Sequence, residues 1–104
     1  MNFININVVR IYITENSGLL KSLITYLREE AQVRGVTVFR GISGFGDSGK
    51  IHESSLIDLS LDLPLVIEFF DEPDKIAKIL EHLKTQIKPE HIVYWQAQAN
   101  NRNT

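Results

Sequence analysis

The chain has 104 residues, 43% hydrophobic and 23% charged, with a formal net charge of -2 and no cysteine. That size fits one domain around one core, and the charge balance gives no field that would collect nucleic acid or an anionic membrane. The missing thiols exclude a disulfide framework and thiolate metal ligands.

Residues 1–7 lack a basic start and interleave asparagines with apolar residues, so no signal peptide is expected. No apolar run approaches the roughly 20 residues of a membrane helix, and the chain reads as cytoplasmic. Residues 4–13 predict a strand, with Ile4, Ile6 and Val8 alternating against Asn5 and Asn7. Asn16 or Ser17 then caps a helix on which Leu19, Leu20, Leu23, Ile24, Leu27 and Ala31 recur at helical spacing. Gly35 stands where a positive φ commonly ends a helix.

Residues 36–45 are β-branched and aromatic and predict a second strand. Residues 46–55 form a loop, and 56–60 alternate weakly. Residues 63–70 read as a third strand, in which Pro64 belongs at the start, at an edge or at a bulge because it cannot donate to a ladder. Asp71 is a suitable N-cap, Pro73 suits a first helical turn, and Asp74 adds charge at the positive helix end. The second helix presents Ile76, Ala77, Ile79, Leu80, Leu83 and Ile87 on one face and stops before Pro89. Residues 91–97 give a fourth strand. The single domain spans 1–99, and the polar residues 100–104 read as a disordered tail.

The order β-α-β-β-α-β predicts an α+β ferredoxin-like sandwich, an antiparallel four-stranded sheet with both helices on one face. Yet Val8, Val9, Ile11, Tyr12 and Ile13 are nearly continuous in apolar character, as are Leu65, Val66, Ile67, Phe69 and Phe70. Two helices cover one face only, so the other calls for a second layer, most economically further copies of the chain. The competing reading is a monomer whose open face is kept wet by Arg10, Glu68, Gln96 and Gln98.

Four of the six glycines (Gly41, Gly44, Gly46 and Gly49) cluster with Arg40, Lys50 and His52. Their G-x-x-G-x-G spacing is not the dinucleotide fingerprint and opens no helix. Two readings stand. Backbone N–H groups around Arg40, Gly41, Gly44 and Gly46 form a nest for a phosphate or carboxylate, with Arg40 or Lys50 neutralising its charge. Alternatively Gly41 and Gly44 are bulges, while Gly46 and Gly49 serve a turn. Arg40 shares the face of Val36, Val38 and Ile42, so it needs either an anionic ligand or a carboxylate from Glu68, Asp62 or Glu15.

His52 can hydrogen-bond a ligand, sense pH or bind metal. His52, His82 and His91 share no ligand spacing, so no metal site within one chain is predicted, and His82 reads as a solvated residue. No nucleophile is paired with a base, so the chain is not read as an enzyme. No cofactor is predicted. Adjacent Tyr94 and Trp95 point to opposite faces of their strand.

The run Arg40-Gly41-Ile42-Ser43-Gly44-Phe45-Gly46, then Ile51-His52 and Asp62-Leu63-Pro64-Leu65-Val66-Ile67-Glu68, resembles a family of small, mostly uncharacterised prokaryotic proteins classed as PII-like. The likeness covers about residues 9–93. It implies a homotrimer with its sheets facing inward and kinship to PII signalling proteins. Those bind adenine nucleotides in intersubunit clefts and reshape the loop between the second and third strands to engage a transporter or enzyme. By that resemblance residues 46–55 are the regulatory loop, the ligand is a small anion or nucleotide, and a membrane transporter or channel is a candidate partner.

The chain departs from PII signalling proteins twice. Its helix-to-strand connection Gln86-Ile87-Lys88-Pro89-Glu90-His91 has no glycine and a single lysine where those proteins carry the glycines and basic residues that hold phosphates, and its loop has no tyrosine to modify. Two alternatives remain: a CutA-type metal-binding trimer using His52 with Asp47 or Glu53 of neighbouring chains, and a small ferredoxin-like enzyme.

Overall fold

The computed structural model describes residues 1–46, 49, 51–53 and 62–102, with His52 and Glu53 described by backbone alone. The weakly alternating residues 56–60 lie outside the described residues. Strand β1 (Phe3–Thr14) leads through a 3₁₀ turn (Glu15–Ser17) into helix α1 (Leu20–Thr25), which continues as a π-helical turn over Tyr26–Glu30. Strand β2 (Val36–Arg40), a short ribbon of β3 (Ser43–Gly44) and β4 (His52–Glu53), strand β5 (Pro64–Asp71), helix α2 (Pro73–Leu83) and strand β6 (Ile92–Asn100) complete the chain. The main sheet runs β2-β5-β1-β6 with every pair antiparallel. This is the ferredoxin-like α+β fold that the element order predicts.

The core lies between that sheet and the helices. Val9, Ile11, Leu65, Ile67 and Phe69 from the sheet meet Leu23, Leu27, Ile76, Ile79 and Leu83, all buried. Each pair β1–β5 and β1–β6 keeps one continuous register, so opposite residues share a face. The helical stripes are those the sequence predicts, except that Ala77 is exposed.

Several local expectations need correction. The first helix starts later than Asn16 or Ser17, because Gly18 at φ +74° turns the chain between the 3₁₀ turn and Leu20. Ser17 Oγ still accepts the Leu19 N–H at 3.3 Å and donates to the Thr14 carbonyl at 2.7 Å. The helix leaves through Gln32 at φ +54°, and Gly35 has no positive φ. The π turn accounts for this early exit: the Ala31 N–H reaches back five residues to the Tyr26 carbonyl at 2.9 Å.

Asp71 closes β5 as a buried residue instead of capping α2, whose N-cap is Glu72. Its Oδ1 accepts the Glu72 N–H at 2.8 Å, and Lys75 and Arg34 approach its carboxylate at 3.2 and 4.0 Å. Lys75 Nζ also donates to the Gln32 carbonyl at 2.7 Å, so this cluster pins the exit of the first helix to the start of the second. At the same end of the sheet, β6 runs to Asn100, and the Asn101 N–H donates to the Asn2 carbonyl at 2.6 Å.

Candidate functional site

The segment expected to form one strand over 36–45 breaks at Gly41. There the Gly41 N–H donates to the Pro64 carbonyl at 2.7 Å, and a Cβ on Gly41 would stand 2.8 Å from Pro64 Cγ. Real Cβ atoms do not approach a rigid ring so closely, so the glycine is required by this crossing. Gly44 faces the same ring less tightly, at 3.4 Å, and pairs with His52 across the β3–β4 ribbon. Gly46 and Gly49 make a turn, with the Gly49 N–H donating to the Gly46 carbonyl at 2.9 Å and Gly49 at φ +72°. Lys50 lies outside the described residues. The fold thus brings Arg40, Gly41 and Gly44 around Pro64, with the His52 backbone alongside Gly44.

Arg40 ends β2 opposite Leu65. Its side chain is 68% exposed, and Nε faces Glu15 Oε1 in the 3₁₀ turn after β1. Of the three carboxylates offered by the sequence, Glu15 is the one observed, while Glu68 is engaged by Arg10. Glu15 Oε1 is sealed from solvent, and the approach of Arg40 is an ion pair without hydrogen-bond geometry. Two further bonds fix this corner: the Glu15 N–H donates to the Leu63 carbonyl at 3.0 Å, and the Asn16 N–H to Asp62 Oδ1 at 2.8 Å. Both stems of the connection from 41 to 64 are therefore fastened to the sheet and to the turn after β1.

The second feature is the sheet face turned away from the helices. Register places Val8, Arg10 and Tyr12 there beside Val66, Glu68, Phe70, Val93 and Trp95, with Phe39 opposite Val66. Tyr12, Phe39, Phe70, Val93 and Trp95 are each more than a third exposed. Arg10 sits among them, donating through Nε to Glu68 Oε1 at 2.7 Å and lying 5.7 Å from the Trp95 ring centroid. Glu68, then Tyr12, hold its guanidinium in the charged form more firmly than usual. Gln96 and Gln98 pair with Asn7 and Asn5 and fall on the opposite side, so they do not wet this face. Tyr94 and Trp95 point to opposite faces, as the strand period requires.

On the helix side, His82 is no merely solvated residue. Its ring stacks on Tyr26 at 4.0 Å between centroids and 6° between planes, and Nε2 lies 3.2 Å from Gln86 Nε2. Burial, then the charge of Glu30, pushes the Tyr26 hydroxyl up from its ordinary value. The pair lines an open groove of about 630 Å³ with Lys21, Thr25 and Glu29. Tyr26 opens the π turn, and this interhelical pair is one that periodicity does not reveal. Among the described residues no three His, Cys, Asp or Glu side chains stand close enough to hold a metal ion, and no helix is long and apolar enough to cross a membrane.

Comparison with known proteins follows this geometry. A protein of Aquifex aeolicus (strain VF5) known as a UPF0166 protein is 36% identical over 88 residues, covering 81% of this chain and 84% of its own. CPII from Thiomonas intermedia K12, solved bound to ADP and bicarbonate, superposes with a TM-score of 0.70 at 20% identity, over 96% of this chain and 93% of that one. A second CPII structure, described as a nitrogen regulatory PII-like protein bound to ADP, AMP and bicarbonate, gives 0.72 at 19% identity, over 96% and 92%. The model of the family DUF190, described as Uncharacterized ACR, matches residues 6–99. The chain therefore belongs to the DUF190 family and carries the fold of PII-like proteins.

Proposed function

We propose that this chain is a ligand-sensing protein of the PII-like type, without enzymatic activity. It assembles as a homotrimer through the open face of its sheet and takes a small anion, such as an adenine nucleotide, at the boundary between protomers. Residues 46–55 then pass the occupied state to a partner protein, for which a membrane transporter or channel is the candidate.

The observation that carries this reading is the uncovered sheet face. Five exposed apolar or aromatic side chains surround one Arg10–Glu68 pair, and contiguous apolar surface of this kind marks an interaction site. A closed ring of copies would cover it and bring the Arg40 corner of each protomer toward a neighbour. ADP, AMP and bicarbonate in CPII favour an anion or nucleotide as the ligand. In this chain Arg40, Gly44, Gly46, Lys50 and His52 are the residues proposed to receive it. Gly41 contributes shape, since its N–H is already engaged by Pro64.

Light scattering on the purified protein reads the assembly, with three copies expected. A thermal-shift series with AMP, ADP, ATP and bicarbonate reads the ligand. A compound present at 100 times its dissociation constant adds about 2.7 kcal/mol to the folded state. A monomer that none of these compounds stabilises would end the proposal.

A further inference from the structure

We propose that Glu15 is a built-in competitor for the anion site: its carboxylate occupies Arg40 in the empty protein and must give way when a phosphate or carboxylate ligand binds. The inference rests on the function proposed above and concerns how that site is regulated.

The pairing is lopsided. Arg40 keeps 68% of its side chain in solvent, whereas the Glu15 side chain is 21% exposed and its Oε1 is sealed off entirely. A guanidinium presents five donors in a planar fork suited to two-pronged contact with carboxylate or phosphate. Here Glu15 meets it through Nε, without hydrogen-bond geometry. Among the described residues no other partner engages the fork, which leaves its remaining donors to an external oxyanion. A charge-assisted, two-pronged contact is the stronger arrangement, so a well-placed ligand outcompetes the internal carboxylate.

Position gives the exchange a consequence. Glu15 and Asn16 are bonded through their N–H groups to the Leu63 carbonyl and to Asp62, immediately before the Pro64 carbonyl that receives the Gly41 N–H. Glu15 thus ties the turn after β1 to one stem of the connection, and Arg40 leads into the other. While the ion pair holds, both stems are fastened to the same turn, one through its backbone N–H groups and the other through the Glu15 carboxylate. When a ligand takes Arg40, that brace is released, and the ligand gains only what the pair does not already supply. The relation is reciprocal: whatever loosens Glu15 raises affinity for the anion by the same factor.

The test is calorimetric titration of ADP, with and without bicarbonate, into the wild type and into Glu15→Gln and Glu15→Asp. Exposed ion pairs of this kind contribute roughly 0.2–1 kcal/mol, so Glu15→Gln is expected to tighten ADP binding by up to about fivefold. Glu15→Asp keeps the charge on a shorter stem and serves as the second variant should the glutamine form fold poorly; it too is expected to bind more tightly than the wild type. In an Arg40→Gln background the Glu15→Gln change is expected to leave the weakened affinity unaltered. Binding seen in Glu15→Gln but not in the wild type would support the inference strongly.

A wild type that binds ADP with an affinity unchanged or weakened in both Glu15 variants overturns the competitor while leaving the sensor reading intact. A gain that persists without Arg40 assigns the effect to general charge and overturns it equally. If neither the wild type nor any variant binds, the competitor falls, and the sensor reading falls with it when the protein is also a monomer that AMP and ATP do not stabilise.

Discussion

The Gly41 N–H and the Pro64 carbonyl close a 2.7 Å hydrogen bond at a point where the Pro64 ring leaves no room for a Cβ. Both partners are stiff: the ring cannot rotate away, and the strand holding it is bonded to β1 and β2. Gly41→Ala is therefore expected to cost about 1–3 kcal/mol, the range for inserting volume into packed structure. Gly46→Ala, where nothing lies within 4 Å and φ is not positive, should stay within about 0.5 kcal/mol. Urea midpoints of the two variants decide it, and equal values would refute the crossing as the reason for Gly41.

Arg10 and Glu68 stand in the middle of the uncovered sheet face. Arg10→Glu places two carboxylates opposite one another and is expected to shift the assembly toward monomer. The exchange Arg10→Glu with Glu68→Arg restores opposite charges and should recover part of the assembly. Light scattering of the three proteins checks this. An Arg10→Glu variant with the wild-type mass would mean that the face is not the contact.

Tyr26 has its hydroxyl pushed up, first by burial and then by Glu30. A group whose folded value exceeds the unfolded one contributes stability that is complete below the unfolded value, near 10, and disappears as pH rises through the folded value. Stability should thus fall above about pH 10 more steeply in the wild type than in Tyr26→Phe. Urea midpoints taken from pH 8 to pH 11 test the difference, and parallel curves would discount the part-buried hydroxyl.

Leu27 is fully buried and sits within the π turn. Leu27→Ala should cost about 2–5 kcal/mol, since the core around it closes only partly over the cavity. Chemical denaturation measures this. A cost under 1 kcal/mol would mean that the turn relaxes to a regular helix and refills the space.

Asp71 is 3% exposed and meets Lys75 and Arg34. Asp71→Asn is expected to destabilise the fold by about 1–3 kcal/mol, the cost of under-satisfied buried polar groups, with the part-exposed cations left to solvent. Hydrogen exchange should show the loss concentrated at the exit of the first helix and the start of α2. A uniform loss would point away from a local pin.

The layers and the order of elements along the chain were legible because they follow from periodicity and handedness. Ile76, Ile79 and Leu83 announce a helix face, and the β-branched runs announce strands. What sequence alone missed depends on atoms distant in the chain. Nothing near Gly35 says that Gln32 will take the positive φ, because that follows from the π turn. His82 gives no sign that Tyr26, 56 positions earlier, supplies a ring to stack on. Charge alone narrows the pairing of Arg40 to three carboxylates, and only the fold brings it to Glu15: Arg40 shares the helix-side face with Leu65, whereas Glu68 faces the other way beside Arg10. The glycine cluster mixed two demands: Gly41 answers a steric crossing and Gly49 a turn, and composition cannot separate them.

The bond between positions 41 and 64 also brings the two ends of the intervening segment together where it joins the sheet. For such a segment, doubling its length raises the closure cost by only about 0.6 kcal/mol. An insert closed at its base in this way can be lengthened or trimmed at little cost to the scaffold beneath it.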